Sequence, residues 1–134
     1  MGCNACRWPG GRSLMASRPS RPSRGEIWTV ELNPVRGHEQ ANARPALVIS
    51  ADQFNHGPAE LVIIVPLTTR AKGIPYHVPI NPPEGGVTSR SYAKCEDIRS
   101  VSIERLSRYW GTVTERVLEE VEDRLHILLQ FDGL

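Results

Sequence analysis

No long hydrophobic run is present: the best apolar stretch, Leu61 to Val65, falls far short of the roughly 18 residues a helix needs to cross a bilayer, so a membrane-spanning helix is excluded. Cysteine is scarce and odd in number. Cys3, Cys6 and Cys95, in a chain without a secretory signal, argue against a disulfide framework and for a reducing, cytoplasmic setting. Cys3 and Cys6 have the C-x-x-C spacing of half a zinc site, but no second Cys or His pair follows to complete a tetrahedral set, so no metal is expected. Neither sign of charge dominates. The formal net charge is only +1, which by itself announces no nucleic acid. Internal repeats are absent, and 134 residues leave room for one modest core and no separate cofactor domain, so no cofactor is expected either.

What is present divides unevenly along the chain. Residues 1–23 hold Arg7, Arg12, Arg18 and Arg21, no acid, and the repeated "SRPSRPS", the composition of a flexible basic tail. From Arg24 to the C-terminus, 12 basic groups face 15 acidic ones. Much of that acid is confined to Glu115, Glu119, Glu120, Glu122 and Asp123, so the rest of the domain, 24–134, can still present a locally basic groove.

From Gly25 the hydrophobic pattern alternates. Glu26, Trp28, Val30 and Leu32 share one parity of a first strand, which closes at Asn33-Pro34. "ALVIS" (46–50) and "LVIIVPL" (61–67) are continuous branched runs of the kind buried on both faces, with Pro66 forcing a bulge or an edge. Further strands are predicted at Tyr76–Ile80, Tyr92–Ile98 and Arg108–Val113. Val117, Leu118, Val121, Leu125, Leu128 and Leu129 then recur at helical spacing behind Thr114, a natural N-cap. Short strands followed by one amphipathic helix imply a mainly β fold with α+β character, a small coiled barrel with the helix packed across it.

The segment "RGHEQANARPALVIS" (36–50) crowds chemically able side chains at the mouth of a buried strand. Pro45 pushes Arg44 to an extended conformation at the strand entrance. Were the two apolar runs paired antiparallel, Arg44 would come close to Thr68, with Thr69 next to it and His38 nearby. Arginine offers a planar, permanently charged fork to phosphate oxygens, threonine a hydroxyl donor, and histidine a group that titrates near neutrality. Such a group suits metal-free phosphoryl transfer, in which a ribose 2′-hydroxyl attacks the adjacent phosphorus. His56 and His77 are read as ordinary structural histidines, and His126 as a residue at the helix's polar margin.

"RGEIWTVELNPVRGHEQANARPALVIS", followed by "VPLTT", "KG" and "KCEDIRS", resembles the MazF/PemK family of toxins from type II toxin–antitoxin systems, from about Arg24 to the C-terminus. Its most specific piece is G-x-E-Q with a following R-P: Gly37, Glu39, Gln40, Arg44 and Pro45. The resemblance implies an SH3-like β-barrel of the MazF/PemK/CcdB toxin type, working as a homodimer whose RNA groove a cognate antitoxin blocks. It implies a sequence-specific, metal-independent endoribonuclease that cuts single-stranded mRNA, leaves 2′,3′-cyclic phosphate and 5′-hydroxyl ends, and thereby inhibits translation and growth. By that likeness Arg44 matches the catalytic arginine and Thr68 the catalytic threonine. His38 follows the PemK-like branch, where the histidine acts with an arginine and an acid of a later strand. Lys94 and Glu96 stand at those later positions; lysine lacks the arginine fork and glutamate lengthens the expected aspartate. Glu39, Gln40, Thr69, Lys94 and Glu96 are the candidate RNA contacts. Two other classes remain: a gyrase poison of the same fold, which cuts nothing, and a non-catalytic SH3-like module using Trp28, Tyr92 and Trp110, whose strand positions suit core or interface better.

Overall fold

The computed structural model describes residues 21–32 and 43–131. Seven strands form the framework: β1 (Glu26–Glu31), β2 (Ala43–Val48), β3 (Leu61–Thr68), β4 (His77–Ile80), β5 (Ser91–Lys94), β6 (Arg99–Ser102) and β7 (Leu106–Thr112). A single helical turn, α1 (Asp52–Asn55), lies in the β2–β3 connection, and the long helix α2 (Glu115–Leu129) closes the chain. All pairings are antiparallel, in the order β4-β5-β3-β2-β1-β7, with β6 also on β3.

The continuous apolar runs are explained by burial on both faces. Ile27, Leu47, Val65 and Leu67 enter one cluster, while Trp28, Val30, Ala46, Val48, Val62 and Ile64 enter another. The second cluster also takes Val101 from β6 and is packed by Leu106 and Tyr109 of β7. Strands from opposite edges thus meet around one core, which requires the sheet to coil upon itself as a barrel. The first cluster is covered by β4, β5 and by Val117, Leu118, Val121 and Leu125 of α2. Burial of those four side chains, at about 1.5–3 kcal/mol each, outweighs the capping hydrogen bond, worth about 1 kcal/mol, in holding the helix down. The cap is nonetheless formed: Thr114 Oγ1 accepts from the Val117 amide at 3.5 Å, and Glu84 accepts from both Thr114 N and Oγ1 at 2.8 and 2.7 Å.

One expected strand is cut short. Tyr92–Ile98 breaks at a 3-10 turn over Cys95–Asp97, and β6 follows, a strand the sequence pattern did not reveal. The reason lies in β3, which pairs Ile64 with Arg99 of β6 but Leu67 with Ala93 of β5. Between those two ladders the partner chain carries three extra residues, and they form the turn beside Val65–Pro66, where a residue without an N–H is tolerated. At the other end, Arg21 reaches Glu60 at 3.1 Å, Pro22 is buried, and the Ser23 amide donates to Glu26 at 2.9 Å, so residues 21–23 of the basic segment are docked on the domain. The remainder of that segment, 1–20, is outside the described residues.

Candidate active site

The β2–β3 register brings the two leading candidates together. Ala46 pairs with Pro66, Leu47 with Val65 and Val48 with Ile64. Arg44 and Thr68 each lie two residues beyond the Ala46–Pro66 pair, at the same end of the two strands, and both line one cavity. Thr68 pairs in turn with Tyr92 on β5, and Lys94, two residues on, pairs with His77 on β4. Alternation therefore puts Arg44, Thr68, Lys94 and His77 on one face of four adjacent strands, while Leu67, Ala93 and Val78 point the other way into the core.

That face forms the floor of a cavity of about 830 Å3. Arg44, Arg70, Lys72, Lys94 and Arg99 all line it, against the carboxylates of Glu96 and Asp97. Cationic groups exceed anionic ones here although the domain as a whole does not, and a site of that charge favours a polyanion. Arg44 is exposed at the strand end, where its planar guanidinium can meet phosphate oxygens two at a time. Thr68 Oγ1 accepts from the Arg70 amide at 3.2 Å, which occupies one lone pair and leaves the hydroxyl proton to be donated into the cavity. Thr69 is exposed at the rim. Lys94 Nζ pairs with Asp97 at 3.0 Å, and Glu96 Oε2 lies 2.8 Å from Nε2 of His77. His38, Glu39 and Gln40, and the glycine of the same motif, lie outside the described residues.

His77 enters the cavity without having been among the candidates. It was read as structural, yet it lines the cavity, buried, with its imidazole on Glu96. The available signal was parity: in "YHVPI" Val78 and Ile80 are core, so His77 faces the opposite way. Arg70 and Lys72 were legible in "TTRAKG" as a charge run immediately after Thr68. Cys95, beside Glu96, is no nucleophile, because burial, reinforced by the Glu96 charge and opposed by Arg124, pushes its thiol up to about 12. Among the described residues no three His, Cys, Asp or Glu side chains gather where they could hold a metal ion, and no helix is long and apolar enough to cross a membrane.

Of the aromatic residues considered for a peptide groove, Trp28 belongs to the barrel core, edge-on to Tyr109. Tyr92 and Trp110 are partly buried, each under an arginine, Arg90 at 5.5 Å and Arg108 at 5.6 Å. They form no common groove with Trp28.

Comparison with known proteins adds a family to this geometry. Residues 23–129 match the family described as PemK-like, MazF-like toxin of type II toxin–antitoxin system. The chain is 38% identical over 111 residues to endoribonuclease MazF9 of Mycobacterium tuberculosis, a match covering 79% of this chain and 94% of the relative. Endoribonuclease PemK of Escherichia coli is 30% identical over 119 residues, with 86% and 87% covered. A crystal structure of MazE–MazF from Deinococcus radiodurans superposes with a TM-score of 0.72 at 32% identity, covering 83% of this chain and 97% of that one.

Proposed function

This chain belongs to the PemK-like, MazF-like toxin family of type II toxin–antitoxin systems, and on that premise we propose that it is a cytoplasmic, metal-independent endoribonuclease that cuts single-stranded mRNA at chosen sequences. The observation that carries the reading is that Arg44 and Thr68 line one cavity together with Arg70, Lys72, Lys94 and Arg99. In the reaction, a ribose 2′-oxygen attacks the adjacent phosphorus while the bond from phosphorus to the 5′-oxygen breaks. The products are a 2′,3′-cyclic phosphate and a 5′-hydroxyl. Negative charge gathers on the non-bridging oxygens, where the Arg44 fork and the Thr68 hydroxyl donate. The 2′-hydroxyl proton passes to the Glu96 carboxylate, and His38 moves a proton to the departing 5′-oxygen.

Glu39, Gln40, Thr69, Lys94 and Glu96 then serve as contacts to unpaired bases and backbone, the usual targets of sequence-specific RNA binding. The homodimer and the antitoxin that the resemblance implies are carried over with the activity; the MazE–MazF structure supports an antitoxin partner. RNA cleavage would slow translation and growth.

The test is incubation of the purified protein, with EDTA, with a long unstructured RNA and with the same sequence in 2′-deoxy form. Discrete cuts in the RNA alone, ending in cyclic phosphate, are expected. Cuts that need a divalent cation, or that also occur in the deoxy strand, would overturn the 2′-hydroxyl mechanism.

A further inference from the structure

His77 stands on β4, across the ladder from Lys94, with its side chain only 3% exposed. Its Nε2 lies 2.8 Å from Glu96 Oε2, and Glu96, on the turn after β5, is itself one-third exposed at the cavity wall. With the carboxylate as acceptor, the imidazole donates through Nε2–H. Nδ1, at the back of the ring, is buried and has no hydrogen-bond partner, the one such side-chain atom among the described residues. Lys94, the nearest cation across the ladder, gives its ammonium to Asp97 at 3.0 Å rather than to Glu96.

A buried polar atom without a partner is rare and unfavourable, and places where a sequence breaks its own packing rules are commonly functional. An apolar residue would fill the same volume at the cavity floor without orphaning an atom, so packing does not ask for histidine here. The carboxylate does. Glu96 has three rotatable bonds to lose on fixing one orientation, and the 3-10 turn that carries it is short. A donor fixed in the sheet behind it holds Oε2 and directs the other oxygen to the cavity.

We infer that His77 is a positioning residue: it holds the Glu96 carboxylate by Nε2–H donation so that the free oxygen faces the reacting 2′-hydroxyl. The imidazole does not touch RNA; the proton released by the 2′-hydroxyl goes to Glu96. This inference rests on the nuclease reading above.

The experiment measures single-turnover cleavage, with KM and kcat resolved, for wild type, His77→Leu, His77→Gln, Glu96→Gln and the His77→Leu/Glu96→Gln double variant. Leucine removes the donor, whereas glutamine carries an N–H to nearly the place of imidazole Nε2. Loss of an outer group that orients a functional side chain typically costs roughly 10- to 100-fold, so His77→Leu should lower kcat by that factor with KM within about twofold. His77→Gln should recover most of the rate, and the leucine change should add nothing once Glu96 is glutamine. Should the leucine variant not fold, His77→Asn takes its place, since its amide is too short to reach Glu96. Equal losses with glutamine and with the non-reaching variant, or a further loss in the Glu96→Gln background, overturn the positioning role. If wild type leaves RNA whole, the nuclease reading fails and takes this inference with it; if wild type cuts and His77→Leu cuts as fast, only the inference fails.

Discussion

Replacing Arg44 by alanine separates catalysis from stability more cleanly than any other change in the cavity. Arg44 is exposed near the start of β2, outside both core clusters, so its removal should alter folding stability by no more than about 0.5 kcal/mol, the usual range for a surface position. As a donor to transition-state oxygens, it should contribute about 2.7–4 kcal/mol, or roughly 100- to 1,000-fold in kcat. The second figure exceeds the first severalfold, so one variant distinguishes a catalytic arginine from a structural one. Arg44→Lys should fall between, keeping the charge and losing the fork. In the proposed mechanism Thr68 donates to the same oxygens, so Thr68→Val combined with Arg44→Ala should lose less than the product of the two single losses. Single-turnover cleavage of a short RNA bearing a mapped site, with melting followed by circular dichroism, reads both quantities. An Arg44→Ala protein that melts like wild type and cuts at the wild-type rate would refute the reasoning.

Three further outcomes follow from other parts of the molecule. Gly86 has φ +83, and a Cβ there would meet the carbonyl of Trp110, with the carbonyl carbon at 2.7 Å, so Gly86→Ala should cost about 2–6 kcal/mol from backbone strain and displacement; a melting temperature equal to wild type would contradict this. Burial raises the Glu26 carboxyl above its ordinary 4.5, against the lowering hydrogen bonds from Trp28 and Ser23 and with some help from Asp52. The folded state therefore holds that proton to higher pH than the unfolded chain, and the resulting stabilisation is present at low pH and lost as pH rises through the folded value. Glu26→Gln, which keeps an acceptor for both donors, should melt higher than wild type at pH 7, with the advantage shrinking toward pH 4; a constant difference across that range contradicts the assignment. Cys95, fully buried with its thiol pushed up to about 12, should stay unmodified by iodoacetamide at pH 8 in the native protein and become alkylated in urea, as peptide mapping will show.

How much of this was legible beforehand depended on whether the signal was local. The two buried runs, the first strand and the helix were readable because apolar spacing within each segment decides them, and Thr114 marked the helix start. Arg44 and Thr68 could be brought together for the same reason: two neighbouring apolar runs of similar length have few ways to pair. The break at Cys95–Asp97 was not readable, because it answers to Pro66 some thirty residues upstream, a proline whose effect falls on its partner. The bond between His77 and Glu96 was hidden likewise. It needs the β4–β5 register, which is fixed by a loop whose "NPPEGG" residues say only that the chain turns. Sequence pattern also placed the acids of α2 away from the cavity without revealing which cations would remain there.

β3 is the common rail of the molecule: it carries Thr68, presents one flank to β2, and shares the other between β5 and β6. As the chain emerges from the ribosome, Arg44 and Thr68 come out early, but that second flank stays bare until residues 91–102 have followed, and Lys94 and Glu96 arrive with them. A half-made chain therefore holds the arginine and the threonine without the walls that make them a site.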